Sequence, residues 1–522
     1  MQILDRVCIV LLKVYGLIAL LALALVPFFF LPAEDSIILF SYSRNLAEHG
    51  AITFLAHGPH VEGATDFAWM VLVAGGMRLG VSPLWFSAGV NVVSALLLAA
   101  LLLKLAGVRL SLPRLLAVTG AIACVPQILA AAAGFAVLPD AVLLTALVLF
   151  VMRGRSGLAS VAAFVFCLFR PDGVVFAVPL LASLFYLWPQ RWKSASSIGG
   201  LFLLPGMLYF VWRWRYFDEF FPLPFLVKSD THRALGIFVL RSVHQSWMFL
   251  LFALVLLAPV IFRRRALHLW LLLPLLALPT LFYWAMRLDQ NVAARFFYYV
   301  PLAAAIVIAV NWEALRGRQS VVLRLGCLGW LLILAMPLFR EVRTLRDGQF
   351  TEVKSIAEAF NRMPQHGTIL TSEAGFLPYF SGWTTYDAWG LNTPEFAHHF
   401  FQREDVERLK PDLVVFHPDD AESCVALSSW SSGYTERRWP HMTRNLTLGA
   451  NPTHYELWLT SYGSEFYRRR RHWRYGEGDR ECWLVRIDSP LYPEITQVLR
   501  EHNGVAPEES LVLERKRGGL QR

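Results

Sequence analysis

Apolar blocks of membrane-crossing length recur from residue 7 to about residue 338 and then cease. A helix that spans a bilayer needs about 20 predominantly apolar residues. By that measure the pattern predicts about eleven transmembrane helices, at roughly 7–31, 84–105, 114–132, 137–152, 157–169, 173–189, 197–216, 243–262, 267–286, 297–312 and 320–338. The block 157–169 is short, and Pro171 separates it from the next, since proline removes a backbone donor and breaks a helix. Between 32 and 83 lies a polar-containing stretch with an amphipathic segment, Phe67 to Leu79, which reads as lying on the membrane surface. The first run, Val7 to Leu31, has no small-residue cleavage site and is longer than a signal-peptide core, so it counts as helix one.

The links between blocks are of two kinds. With the N-terminus inside, one set holds Lys104, Arg109 and Arg114, then Arg153 and Arg155, Arg191 and Lys193, Arg263 to Arg265, and Arg316, Arg318 and Arg324, almost without acid. The opposite set carries nearly all the acidic residues, among them Glu34, Asp35, Glu62, Asp66, Asp140, Asp172, Asp218 and Asp289. Basic loops stay in the cytoplasm, and an odd number of spans then puts residues 340–522 on the outer side of an inner (plasma) membrane, as a periplasmic or extracytoplasmic domain. Composition agrees: 56% of residues are hydrophobic and 17% charged, against about 25% charged in an ordinary soluble domain. The net charge of +9 is therefore read as loop orientation, and nucleic acid is not expected as a partner. Cys8, Cys124, Cys167 and Cys327 fall in apolar segments and read as small buried hydrophobes. Cys424 and Cys482 lie in the outer part without metal-type spacing, where a disulfide is open to them.

Beyond residue 339 the period changes. Thr351 to Arg362 reads as an amphipathic helix, Gly367 to Thr371 as a strand, Glu404 to Lys410 as a helix and Asp412 to Phe416 as a buried strand. This alternation predicts a small α/β domain over 340–522, following a membrane catalytic domain over 1–339 whose first outer loop is 32–83. The basic run Arg468 to Arg471, near Trp473 and Tyr475, reads as a solvated face or a contact with anionic lipid or glycan. The last dozen residues read as frayed.

The acidic pair Glu34-Asp35, directly after the first helix, is the leading candidate for chemistry. Ile38, Tyr42 and Leu46 then recur at helical spacing, with Arg44-Asn45 near the end. A carboxylate at a membrane face is either retained for function or caps the next helix through its dipole, and spacing alone leaves both open. A second cluster, Val61-Glu62-Gly63-Ala-Thr65-Asp66-Phe67-Ala-Trp69, offers a turn at Gly63, a cap at Asp66 and an interfacial Trp69. Later outer ends carry isolated ions: Arg170 and Asp172, Lys228 after Phe221-Pro-Leu-Pro, and Asp289 with Arg295. Each has a bland reading as a snorkelling or paired charge. Together, three cations beside acids suit a lipid-linked phosphate.

The stretches Glu34 to Leu46 and Val61 to Trp69 resemble the first outer loop of cell-wall arabinofuranosyltransferases, which belong to the GT-C class of polyprenyl-phosphate-sugar-dependent glycosyltransferases. Phe169-Arg-Pro-Asp-Gly173, Pro222 to Lys228, and Asp289 with Arg295-Phe296 are similar to later motifs of that family. Ser372 to Gly382 and Tyr386 to Asn392 are similar to its soluble domain. The matches run in order over nearly the whole chain. Glu34 stands where the family has Asp, Ser41 where it has Arg, and Leu223 and Phe225 where it has Asn and Tyr.

The resemblance implies a GT-C-like α-helical polytopic membrane protein with a C-terminal soluble α/β domain. It also implies an inverting transfer of a sugar, arabinofuranose or another pentose, from a polyprenyl phosphate to an acceptor hydroxyl on an envelope glycan, lipid or protein. Asp35, assisted by Glu34, is the implied catalytic base, and Lys228, Arg170 and Arg295 hold the donor phosphate. Arg44, Glu62, Asp66 and Asp289 are substrate-binding candidates. No cofactor is certain: a divalent cation on Glu34, Asp35 and Asp289 is left open, and nothing in the sequence demands one. A non-enzymatic transporter or flippase for a lipid-linked sugar is the alternative, and an envelope-assembly scaffold with a degenerate site a third. A transporter would carry ions at mid-membrane, broken helices in paired halves and internal repeats; the ions here lie at the outer ends and no repeat is found.

Overall fold

The computed structural model describes residues 2–123, 134–229, 235–261, 268–286, 292–315, 319, 321–330, 351–417, 424, 438–450, 454–461, 480–502 and 504. The chain divides into two compact units. One comprises Met1–Ala33, Thr65–Asp218 and Ala234–Arg343; the other comprises Glu34–Ala64, Glu219–Arg233 and Thr344–Arg522.

The first unit is helical. Arg6–Phe29, Pro83–Leu105, Arg191–Phe217 and Ser242–Ile261 are each long and apolar enough to cross a membrane. Shorter apolar helices include Leu112–Ala123, Val137–Met152, Ser156–Phe169, Pro171–Leu187, Leu269–Ala285, Ala294–Val310 and Val321–Trp330. Their outward faces are apolar. Along Gln2–Phe29, Val7, Val10, Leu11, Val14, Leu17, Ile18, Leu21 and Leu25 are exposed. Such a stripe is unfavourable in water and at home in lipid, and the protein is a multi-pass membrane protein. The helices Gln2–Phe29 and Leu112–Ala123 meet backbone to backbone: a Cβ on Gly16 would lie 2.0 Å from the Leu116 carbonyl oxygen, and one on Gly120 would lie 2.0 Å from that of Leu12. Small residues permit this approach in membranes, where packing replaces the hydrophobic effect between helices.

The segment expected on the membrane surface is the helix Phe67–Arg78. It packs against Pro83–Leu105 and Ser156–Phe169. Trp69, expected at an interface, is buried and donates its indole N–H to the Gly134 carbonyl at 3.0 Å. The helix expected over 197–216 extends back to Arg191 through a π-type turn at Gly199–Leu203.

The second unit is built on a five-stranded mixed sheet of β1 (Thr368–Thr371), β2 (Thr384–Asp387), β3 (Leu413–Phe416), β4 (Tyr455–Ser461) and β5 (Arg480–Arg486). The order is β2-β1-β3-β5-β4. β1 pairs parallel with β2 and β3, while β5 runs antiparallel to β3 and β4. Helices Thr351–Asn361 and Arg403–Leu409, with strands β1 and β3, lie where the sequence period puts them. β4, β5 and the helices Arg438–Gly449 and Tyr492–Glu501 complete the unit. Cys424 and Cys482 form a disulfide. The run Arg468 to Arg471 and the last dozen residues lie outside the described residues.

Two segments from far upstream complete this unit. Helix Glu34–His49 buries Ile37, Ile38, Leu39, Phe40 and Tyr42, and Leu223 and Val227 of the short helix Leu223–Ser229 pack with Val61, Trp389 and Phe396 in its core.

Candidate active site

Glu34 and Asp35 form the first turn of Glu34–His49, where carboxylates are stabilised by the helix dipole. Their surroundings differ. Glu34 is buried, and its Oε1 accepts the Gly375 N–H at 3.2 Å. Gly375 can carry no side chain, because a Cβ there would lie 2.4 Å from Glu34 Cγ. Burial first, and then the nearby Glu373 and Asp35 carboxylates, hold the Glu34 carboxyl well above the usual range. Asp35 is half-buried.

Glu373, an ionisable neighbour of Glu34, and the His417 that faces it are residues that sequence reasoning missed. Burial of Glu373 opposes its ionisation, and the facing His417 imidazole outweighs that, so its carboxyl lies below the ordinary value. Ser372 Oγ donates to Glu373 Oε1 at 3.2 Å, and the Glu373 N–H is donated to Thr371 Oγ1 at 2.8 Å. The available signal was positional: Glu373 follows β1 and His417 follows β3, and ligand-binding groups gather at the carboxyl ends of parallel strands.

Along the same helix, Arg44 Nη1 donates to the Tyr379 carbonyl at 2.9 Å and its guanidinium lies 4.4 Å from that ring's centre. Asn45 Nδ2 donates to the carbonyls of Thr53 and Phe54 at 2.8 and 3.0 Å, fixing the following loop. Tyr42 donates its hydroxyl to Asn392 Oδ1 at 2.9 Å and accepts the Gly63 N–H at 3.0 Å. Gly63 is required for close approach rather than for a turn: a Cβ would lie 2.1 Å from Asn392 Oδ1. Asn392 in turn donates its N–H and its Nδ2 to Asp387 Oδ2, both at 2.9 Å. Asp387 also accepts the Trp389 and Gly390 N–H groups. Burial pushes its carboxyl up to about 6 against the pull of these donors. Glu62 is buried beside this network. Lys228, half-buried, is carried by the helix that Leu223 and Val227 anchor. Leu223, one of the departures from the arabinofuranosyltransferase pattern, is fully buried core.

The remaining candidates lie in the helical unit. Arg170 is buried and makes a bidentate pair with Asp172, Nε to Oδ1 at 2.9 Å and Nη2 to Oδ2 at 2.7 Å. Tyr283 donates its hydroxyl to the same Asp172 Oδ2, and Asp140 lies 3.9 Å from Arg170 Nε. Arg295 is buried with its guanidinium 4.0 Å from the Phe135 ring centre. Arg170 and Arg295 are brought together about one ring, at 5.3 and 5.0 Å from the centre of Phe296. Asp66 precedes helix Phe67–Arg78 without a side-chain cap bond, and Thr65 Oγ1 lies 3.5 Å from its Oδ1. Asp289 lies outside the described residues, and so does any ion site that would include it.

Comparison with known proteins defines the fold class: this is the fold of the GT-C membrane glycosyltransferases. Over 78% of this chain and 93% of the other, the structure superposes with a TM-score of 0.54 at 14% identity on ArnT from Cupriavidus metallidurans bound to undecaprenyl phosphate. The apo state of that ArnT gives 0.51 at 16% identity over the same shares. An apo oligosaccharyltransferase from Archaeoglobus fulgidus gives 0.49 at 10% identity, over 88% of this chain and 73% of that one. Residues 340–478 match a family described as a domain of unknown function (DUF8728). No curated protein sequence matches the chain significantly.

Proposed function

We propose that the protein is an inverting glycosyltransferase that moves a sugar, arabinofuranose or another pentose, from a polyprenyl phosphate to an acceptor hydroxyl at the outer face of the inner membrane. The observation that carries this reading is the division of labour in the first turn of Glu34–His49. Glu34 is buried and accepts the Gly375 N–H, while the adjacent Asp35 is half-buried, so Asp35 is read as the base and Glu34 as the residue that assists it. The GT-C fold, and the undecaprenyl phosphate bound by ArnT from Cupriavidus metallidurans, support a lipid-phosphate donor.

In this mechanism Asp35 takes the proton of the acceptor hydroxyl as its oxygen attacks the anomeric carbon from the side opposite the phosphate. The bond from that carbon to the phosphate oxygen breaks, and the polyprenyl phosphate departs with an added negative charge. Lys228, Arg170 and Arg295 receive that charge; pre-organised cations at a developing anion supply much of the rate in such transfers. Asp172 holds Arg170 by two bonds and keeps its guanidinium plane fixed, while Phe296 supports both arginines. Arg44, Glu62, Asp66 and Asp289 belong to the sugar and acceptor sites in this reading.

The test is transfer of a radiolabelled pentose from its polyprenyl phosphate in membranes carrying the wild-type or Asp35→Asn chain. Loss of a general base lowers such a rate by about a hundredfold or more. Undiminished transfer by Asp35→Asn, at equal amounts of inserted protein, overturns the mechanism.

A further inference from the structure

The sheet unit holds a second cluster of ionisable groups that glycosyl transfer does not use. We propose that Glu373, His417 and Glu481 bind one divalent transition-metal cation of the Zn2+ type at the end of the sheet where β1 and β3 finish and β5 begins.

The topology assembles the three residues. Glu373 follows β1, His417 follows β3, and Glu481 is the second residue of β5, whose neighbour Cys482 pairs with Phe416 at the end of β3. In the strand order β2-β1-β3-β5-β4, the connection from β1 leads to one side and the chain after β3 to the other. The crevice outside the carboxyl ends of β1 and β3 is therefore a topological switch point, the place where open α/β sheets bind ligands. One donor atom from each of Glu373, His417 and Glu481 lies within 4.8 Å of the other two. Ligand atoms on a tetrahedral ion with bonds of about 2.0–2.2 Å stand roughly 3.3–3.6 Å apart, so side-chain rotation is needed to bring the three atoms to one centre.

Polar satisfaction supplies the second, independent observation. Glu481 is fully buried and neither of its carboxylate oxygens has a hydrogen-bond partner among the described residues; Glu373, 1% exposed, already faces His417, Ser372 and the Glu34 carboxyl. A buried carboxyl group without partners is costly whether ionised or protonated. One imidazolium can balance only one of the two carboxylates. A divalent ion with a neutral imidazole balances both and gives the two Glu481 oxygens a partner. An imidazole with two carboxylates suits zinc and its first-row neighbours, and three protein ligands leave a fourth position open. Outer partners are in place: Ser372 Oγ bonds Glu373, and the Trp439 ring lies 4.8 Å from the imidazole of His417. The Cys424–Cys482 disulfide ties the strand carrying Glu481 to the segment after His417. His417 is only partly covered and gives an ion a way in.

Another grouping of the same residue types, Glu395, His399 and Asp405, lacks these features. Asp405 accepts the Gln402 N–H in a capping box, and Arg408 pairs with both Glu395 and Asp405. It serves as the internal control.

An ion at the first cluster fixes residues 373–375, whose Gly375 N–H meets Glu34. Glu373 is in that sense a positioning residue for the helix Glu34–His49. The site itself does not depend on the glycosyltransferase reading, and its test reads binding alone. The full-length chain, purified in detergent and stripped with a chelator, is titrated with Zn2+, and with Co2+ followed by its visible absorption. The expected result is one ion per chain, with affinity lowered about a hundredfold or more in Glu481→Gln and in His417→Gln and unchanged in Glu395→Gln. Absence of stoichiometric binding by the wild-type chain overturns the proposal, and so does binding that is undiminished in the ligand variants. Should Glu481→Gln fail to fold, His417→Gln decides, since that side chain lies beyond the strand end and is partly exposed.

Discussion

Glu34 and Asp35 adjoin in sequence, yet one turns into its unit and the other stays half-buried. This asymmetry yields a paired expectation. A Glu34→Gln chain keeps an oxygen able to accept the Gly375 N–H, so it should retain most of the transfer that Asp35→Asn loses; equal loss in both, in the same pentose-transfer assay, would show that the two acids share the chemistry. The Tyr42, Gly63 and Asn392 contacts make a second expectation at this scale. Removing the Tyr42 hydroxyl leaves the Gly63 N–H and Asn392 Oδ1 to find other partners, a loss of about 1–3 kcal/mol in the stability of the sheet unit. Gly63→Ala should cost about as much by overpacking against Asn392 Oδ1. Thermal melting of both variants in detergent checks this, and a Gly63→Ala chain as stable as wild type would mean that the close approach is absent in solution.

At the scale of elements, legibility followed the solvent. Blocks facing lipid announce themselves by composition: the helix predicted over 137–152 has those bounds, and 84–105 is off by one residue. Strand β3 was legible because a strand covered on both faces reads as an unbroken apolar run, Leu413-Val-Val-Phe416, and β1 because Ile369 and Leu370, flanked by β-branched Thr368 and Thr371, follow Gly367. β4 and β5 were not, since Glu456, Thr460 and Glu481 interrupt their apolar residues and the pairing that buries them joins distant segments. Trp69 was misplaced for a related reason, because composition cannot tell an indole at an interface from one whose N–H meets the Gly134 carbonyl in the core. The Gly16–Gly120 contact was equally silent, as small residues are common in membrane helices and only the crossing makes them necessary. Gly120→Leu should therefore separate Gln2–Phe29 from Leu112–Ala123 and lower the detergent melting temperature, whereas Gly89→Leu, with open space around its Cβ position, should not. The disulfide bridges a separation of 58 residues, and Cys482→Ser should destabilise the sheet unit by about 2–5 kcal/mol. An unchanged melting temperature in that variant under oxidising conditions would deny the bridge a structural role.

For the whole molecule, a change of solvent and a change of packing unit fall at different places in the chain. Composition turns from lipid-compatible to water-compatible near residue 339, but the sheet unit also draws in Glu34–Ala64 and Glu219–Arg233. These upstream stretches carry Asp35, Arg44, Glu62 and Lys228, and their apolar side chains are covered within that unit: Val61, Leu223 and Val227 share a core with Trp389 and Phe396, and Tyr42 bonds Asn392. Residues 340–522 thus build the framework on which much of the candidate chemistry is mounted, whatever further part they play in recognising an acceptor. The consequence is testable with a chain ending at residue 339. Its membrane helices retain the core of the helical unit, in which Val148, Phe176, Tyr299 and Ile306 are buried, so it should still insert. Helix Glu34–His49 would lose the partners of Arg44 and Tyr42 and the Gly375 N–H that meets Glu34. A helix of 16 residues stripped of its tertiary contacts is marginal on its own. Limited proteolysis of the detergent-solubilised chains should then cut within residues 34–64 in the shortened chain and spare them in the full one, with transfer abolished. If the shortened chain protects that segment as well as the intact protein does, helix Glu34–His49 is held by something other than the sheet unit, and the contacts described here are not what positions Asp35.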